Sequence, residues 1–130
     1  MLRSLGILFA SFAVLALAPV SRAAFDFETA ALPDSRYELV VLEAEGCIYC
    51  QIFRRDVLPA YEVSPRAREV PLRFVDLNKS ETDKLALSEP IELVPTVVLF
   101  KDHKEVGRIA GYVGPEAFFH SVNRMIAGAE

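Results

Sequence analysis

The sequence predicts an α/β domain, a mixed central sheet with helices on both faces, and three observations carry that prediction. The first is a near-continuous apolar run, "YELVVLEA" at residues 37–44, rich in β-branched residues as expected of a strand covered on both sides. The second is the change to a 3.6-residue period just after it, from Cys47 onward. The third is "LVPTVVLFKDHKEVGRIAGY" followed by "GPEAFFHSVNRMIAG", which reads as strand, turn, strand and then an amphipathic helix. With the segments between them, the order is β-α-β-α-β-β-α.

Each element has a local reason. Gly46 breaks the first strand, and beyond it Ile48, Ile52, Val57 and Tyr61 are spaced to share one side of a helix. Pro59 kinks or ends that helix, and Pro65 lies beyond it. "PLRFVDL" at 71–77 reads as a second buried strand. "NKSETDKLALSEP" is polar and helix-prone, with Ser80 or Thr82 as its cap. Asp102-His103 marks the tight connection of the hairpin. Gly114 stands just before the last helix, Pro115 suits its first turn, and Gly128 is expected just past its end.

The N-terminal stretch has a different character. Arg3 is followed by an uncharged, mostly apolar run at 5–18, and Ser21-Arg22-Ala23 puts small residues where a leader is cut. That run is shorter than the roughly 20 residues needed to cross a bilayer. The expectation is a signal peptide at 1–23 and one small domain at 24–130, with an irregular arm near 25–34. The hydrophobic fraction of 52% is inflated by the leader and is no argument for a membrane protein. The whole chain carries a net charge of −4, and the leader holds Arg3 and Arg22 but no acid, so the remainder is more acidic still. An acidic domain with scattered Lys and Arg is a poor binder of nucleic acid, and none is expected as a partner. The leader places the protein outside the cytoplasm, where thiols tend to be oxidised.

The two cysteines, Cys47 and Cys50, lie three positions apart in "EAEGCIYCQIF". A structural staple is the weakest reading, because cross-linking stabilises less as the closed loop shortens. A zinc site wants about four Cys or His ligands, and the only histidines, His103 and His120, fall in a turn and in the last helix and read as solvated. A Cu(I) carrier using the two thiolates alone stays chemically open. The placement favours redox chemistry. Cys47 stands where unpaired N–H groups and the positive end of a helix dipole lower a thiol's pKa, and Cys50 sits one turn on, able to resolve a mixed disulfide.

Taken together, "VVLEAEGCIYC" and "LVPTVVLFKDHKEVGRIAGYVGPEAF" resemble the thioredoxin superfamily, over roughly residues 37–127. The resemblance implies a thioredoxin-like fold and thiol-disulfide oxidoreductase activity, with Cys47 attacking and Cys50 resolving. It also implies that Pro95 is a cis-proline and that Tyr49, Val94, Pro95 and Gly111 meet an extended substrate. Val41 stands where many members carry a buried Asp, and Glu43 and Gly46 stand where they carry Trp. Proton transfer then falls to water or to Glu43 from a shifted position, with an outward solvated charge as the equal alternative for Glu43; Glu45 reads as solvated. The Ile48-Tyr49 pair between the cysteines, with the leader, looks most like periplasmic thioredoxins of bacterial sulfur-oxidation systems. The implied partners are a client protein with a disulfide or oxidised cysteine and a membrane electron-transfer reductase as donor. A monomer without cofactor or metal is expected. Oxidant and isomerase relatives usually add an inserted domain, for which the short stretch from Leu77 to Pro95 has no room, so a small periplasmic reductase is the preferred reading over an oxidant of secreted proteins.

Overall fold

A computed structural model of the chain describes residues 36–130, so the leader and the arm at 25–34 lie outside the described residues. The first strand, β1 (Tyr37–Glu43), forms where expected and has Leu39, Val40, Val41 and Leu42 fully buried. It lies in the middle of a four-stranded sheet of order β2-β1-β3-β4, with β2 at Leu72–Asp76, β3 at Thr96–Lys101 and β4 at Lys104–Ala110. β2 runs parallel to β1, while β3 and β4 are antiparallel to their neighbours. The sheet is mixed, and the domain is a single small α/β unit.

β2 corrects one expectation. Among the described residues it lies at the sheet's edge, with Val75 its only fully buried residue, rather than being covered along its length. The hairpin connection is as read: Asp102 and His103 both take positive φ, 49° and 65°, in the two-residue turn whose twist matches the strands.

The helix after the cysteines is α1 (Ile48–Asp56), which ends before Pro59; the chain starts again as α2 (Leu58–Glu62), and a further turn, α3 (Arg66–Glu69), follows Pro65. Its buried side is Cys50, Phe53, Val57 and Tyr61, not the face through Ile48, which is 60% exposed. The apolar spacing alone allowed either stripe, and the docking of α1 on the sheet selected the one carrying Cys50. The last helix, α4 (Pro115–Ala129), starts at Gly114 but runs through Gly128 rather than stopping before it, since Gly weakens a helix without ending it.

α1, α2 and α4 cover one face, closing a core of Leu39, Val41, Phe53, Val57, Tyr61, Val97, Leu99, Ile109, Phe118, Val122 and Ile126. Phe118 stands edge-on to Phe53 at 5.4 Å and to Tyr61 at 5.8 Å between ring centres. On the other face Val40, Leu42, Val75, Val98 and Phe100 lie under Leu77, Leu85, Leu87 and Ile91. The helix expected at 78–90 is reduced there to one 3-10 turn, Thr82–Lys84. Neither Ser80 nor Thr82 caps it; the Thr82 hydroxyl donates instead to the Asp76 carbonyl. This segment carries too few apolar residues at helical spacing to hold a longer helix on the sheet, so it runs as an irregular strap.

Candidate active site

The buried strand β1 leads into a turn in which Cys47 N–H bonds the Ala44 carbonyl at 3.2 Å and Gly46 takes φ +76°. A side chain is disfavoured at that φ, which is why glycine suits the position. Cys47 is then the N-cap of α1, with extended backbone (φ −71°, ψ 106°) and its carbonyl accepting from Gln51 N–H. Its Sγ accepts the Cys50 N–H at 3.1 Å, the place normally taken by a Ser, Thr, Asp or Asn oxygen. Those free N–H groups and the dipole behind them favour sulfur as an anion.

Cys47 and Cys50 are joined, with S–S 2.08 Å and Cα atoms 5.3 Å apart. The two sulfurs are not equivalent to an approaching molecule. Cys50 is 3% exposed and points inward with Phe53, whereas Cys47 is half-buried and opens onto the surface. Between them Ile48 and Tyr49 stand out into solvent, Tyr49 at 57% exposure.

Val41, in the middle of β1, is fully buried and apolar, so no carboxylate lies beneath the disulfide from that position. Glu43 is at the strand's end and lines the same depression as Cys47, Cys50, Asp76 and Lys79. Its carboxylate is taken in a two-point ion pair by Arg54, Nη2 to Oε1 at 2.6 Å and Nε to Oε2 at 3.0 Å. Arg54 in turn lies 3.5 Å above the Phe74 ring. Glu43 is thus neither a lone outward charge nor an unpartnered acid. Arg54 escaped the sequence reading because nothing in an 11-residue separation signals a strand-to-helix ion pair. Glu45 is exposed, as are His103 and His120. Among the described residues no three His, Cys, Asp or Glu side chains come together as a metal-ligand set.

Pro95 reaches the same end of the sheet through the register. Thr96 lies opposite Leu42 of β1 and Ala110 of β4, so Pro95 and Gly111 follow on at the end where β1 turns toward Cys47. The Val94–Pro95 bond is cis, Pro95 is buried, and its carbonyl accepts the Gly111 N–H at 2.8 Å. Gly111 has φ +81°, and a Cβ there would press within 3.2 Å of the Leu93 side chain. Val94 is half-buried, and Leu93 beside it is 47% exposed.

A family model described as a thioredoxin-like domain matches residues 26–126. The chain is 26% identical over 83 residues to the thioredoxin of Acetoanaerobium sticklandii, spanning 64% of this chain and 75% of that protein. Its fold matches the periplasmic thioredoxin SoxS from Paracoccus pantotrophus in the reduced form with a TM-score of 0.67 and 30% identity, over 72% of this chain and 99% of that one. Mitochondrial thioredoxin 3 from Saccharomyces cerevisiae, oxidised, matches with a TM-score of 0.55 at 19% identity, over 72% and 82% of the two chains, a likeness of fold alone.

Proposed function

The chain belongs to the thioredoxin-like family of oxidoreductases, and from that membership we propose that it is a periplasmic reductase of specific client proteins. The observation that carries the reading is the unequal pair at the start of α1: a half-exposed, N-capping Cys47 joined to a buried Cys50. One sulfur is placed to meet a partner and the other to finish the exchange.

In the reduced protein the Cys47 thiolate attacks a client disulfide. A Cys47–client S–S bond forms, the client S–S bond breaks, and one client sulfur leaves as a thiolate that takes up a proton. Cys50 then gives up its proton and attacks Cys47 Sγ. The Cys47–Cys50 bond forms as the mixed disulfide breaks, and the second client sulfur leaves. Two electrons have passed from the dithiol to the client, and the described structure, with its bond closed, corresponds to the product state. Regeneration takes two electrons from a donor, for which a membrane electron-transfer reductase is the fitting class. Glu43 is the carboxylate nearest in kind to a proton acceptor for Cys50, working from its pair with Arg54. Tyr49, Val94 and Gly111 form the surface an extended client would meet, Val94 through its backbone, with the buried Pro95 behind them fixing the path of the chain. The leader pattern at 1–23 and the periplasmic origin of the matched SoxS structure support action in the periplasm, by a monomer.

Replacing Cys50 with Ser leaves Cys47 able to attack and nothing to resolve the product. Expression of this variant in a periplasm should yield covalent, dithiothreitol-sensitive complexes, and Cys47→Ser should yield none. Recovery of no covalent partner by Cys50→Ser defeats the exchange mechanism. The direction of electron flow is read from the reduction potential. A value near thioredoxin's, roughly −270 mV, fits the reductase, and one near −120 mV makes the protein an oxidant.

A further inference from the structure

The strap that leads into Val94 and Pro95 is held in an unusual way. Among the described residues, 88–93 make no backbone-to-backbone hydrogen bond. Side chains of β4 hold it instead. Glu105 Oε2 accepts the Ser88 N–H at 2.7 Å, Arg108 Nη2 donates to the Glu89 carbonyl at 3.0 Å, and Arg108 Nη1 donates to the Pro90 carbonyl at 3.2 Å. Glu105 and Arg108 are tied to each other at 2.6 and 2.8 Å. Burial pushes the Glu105 carboxyl up, but the bonds from Arg108 and Ser88 outweigh it and hold it below its ordinary value.

Three residues apart in a regular strand, two side chains point to opposite faces. Here a bulge in β4 changes the parity. Leu99 lies opposite Gly107 but Phe100 lies opposite Glu105, leaving Val106 as the extra residue. Arg108 is opposite Val98 and Glu105 opposite Phe100, so both reach the face the strap covers. Bulges commonly re-aim side chains beside functional sites. The far end of the same segment is fixed by the Thr96 hydroxyl on the Leu93 carbonyl at 2.7 Å and by Gly111 on the Pro95 carbonyl. Residues 91–94 are thus suspended between two anchors, and the bulge supplies one of them.

We propose that Arg108 and Glu105 are positioning residues that set the client-meeting segment 91–95 without touching the cysteines. This rests on the reductase reading above. Arg108 suits the task because its planar fork spans two carbonyls and a carboxylate at once, which a lysine cannot do. Losing it frees the segment before Val94, so an extended client must order it on binding.

The test compares the wild type with Arg108→Met, Arg108→Lys and Glu105→Gln, using insulin as the disulfide-bearing probe and dithiothreitol as electron source. Arg108→Met should raise KM for insulin about tenfold, with kcat and the reduction potential of the cysteine pair unchanged. Arg108→Lys and Glu105→Gln should fall between. Amide hydrogen exchange should quicken at Ser88, whose N–H Glu105 holds, while β1 stays protected. Faster exchange with KM unchanged overturns the positioning role, and so does a change in potential or kcat that matches the change in KM. Should the wild type reduce no insulin, the reductase reading falls. The clamp is then judged by exchange alone, upheld by faster exchange in Arg108→Met and overturned by none.

Discussion

On one face of the sheet, Leu39, Val41, Val97, Leu99 and Ile109 lie under α1, α2 and α4; on the other, Val40, Leu42, Val98 and Phe100 lie under an irregular strap. The helical face is closed by large rings packed edge to face, Phe53, Tyr61 and Phe118 among them. The strap face is closed by Leu77, Leu85, Leu87 and Ile91, all only partly buried, and by the hydrogen bonds of Arg108 and Glu105. α1, which presents Cys47, therefore stands on the face closed by aromatic rings, while the approach to Pro95 runs along the face closed by the strap.

The comparison breaks most visibly in the aromatic core. Phe118→Ala should cost about 3–5 kcal/mol in urea unfolding, because the ring is fully buried and its three aromatic neighbours cannot all close the gap. A loss near that expected on the strap face would mean that the two sides are equally well packed.

Tyr61 sharpens it next. Its hydroxyl donates to the Val70 carbonyl inside the core, and Tyr61→Phe should cost about 1–3 kcal/mol by leaving that carbonyl without a partner. Burial pushes the phenol up from 10.0 to about 12. Because the folded pKa is the higher one, the fold's preference for neutral Tyr61 is fully present below about pH 10 and is lost as pH rises toward about 12. The stability gap between wild type and Tyr61→Phe should therefore narrow between denaturation curves run at about pH 9 and about pH 11. A constant gap would show that the phenol titrates as it does in the unfolded chain.

The smallest effect is expected on the strap. Leu87→Ala removes a half-exposed side chain and should cost about 1 kcal/mol. It should also leave the cysteine pair's reduction potential where it was. A cost equal to that of Phe118→Ala would erase the distinction between the faces.

Much of this was legible in the chain itself. β1 announces itself because a central strand buried on both sides must be apolar at every position. The Asp102-His103 turn and Pro115 are local signals that need no distant partner. The cysteine pair was legible for a related reason: its chemistry depends on a helix start immediately beside it in sequence. What misled were features whose meaning depends on neighbours far along the chain. "PLRFVDL" looks like any buried strand, yet its place at the edge of the sheet among the described residues is decided by which strands pair beside it. "NKSETDKLALSEP" has helical propensity but no apolar stripe wide enough to win the sheet's other face.

By itself, then, the sequence determined the order of the four strands and the last helix, the cysteine pair at the start of α1 and the hairpin turn, because short-range sterics and periodicity decide those. Only the tertiary structure decided which stripe of α1 faces inward, that Glu43 is held by Arg54, and that a one-residue bulge turns Glu105 and Arg108 onto one face. Each of these is a contact between residues whose separation in sequence, or whose parity along a strand, carries no signal until the sheet has assembled.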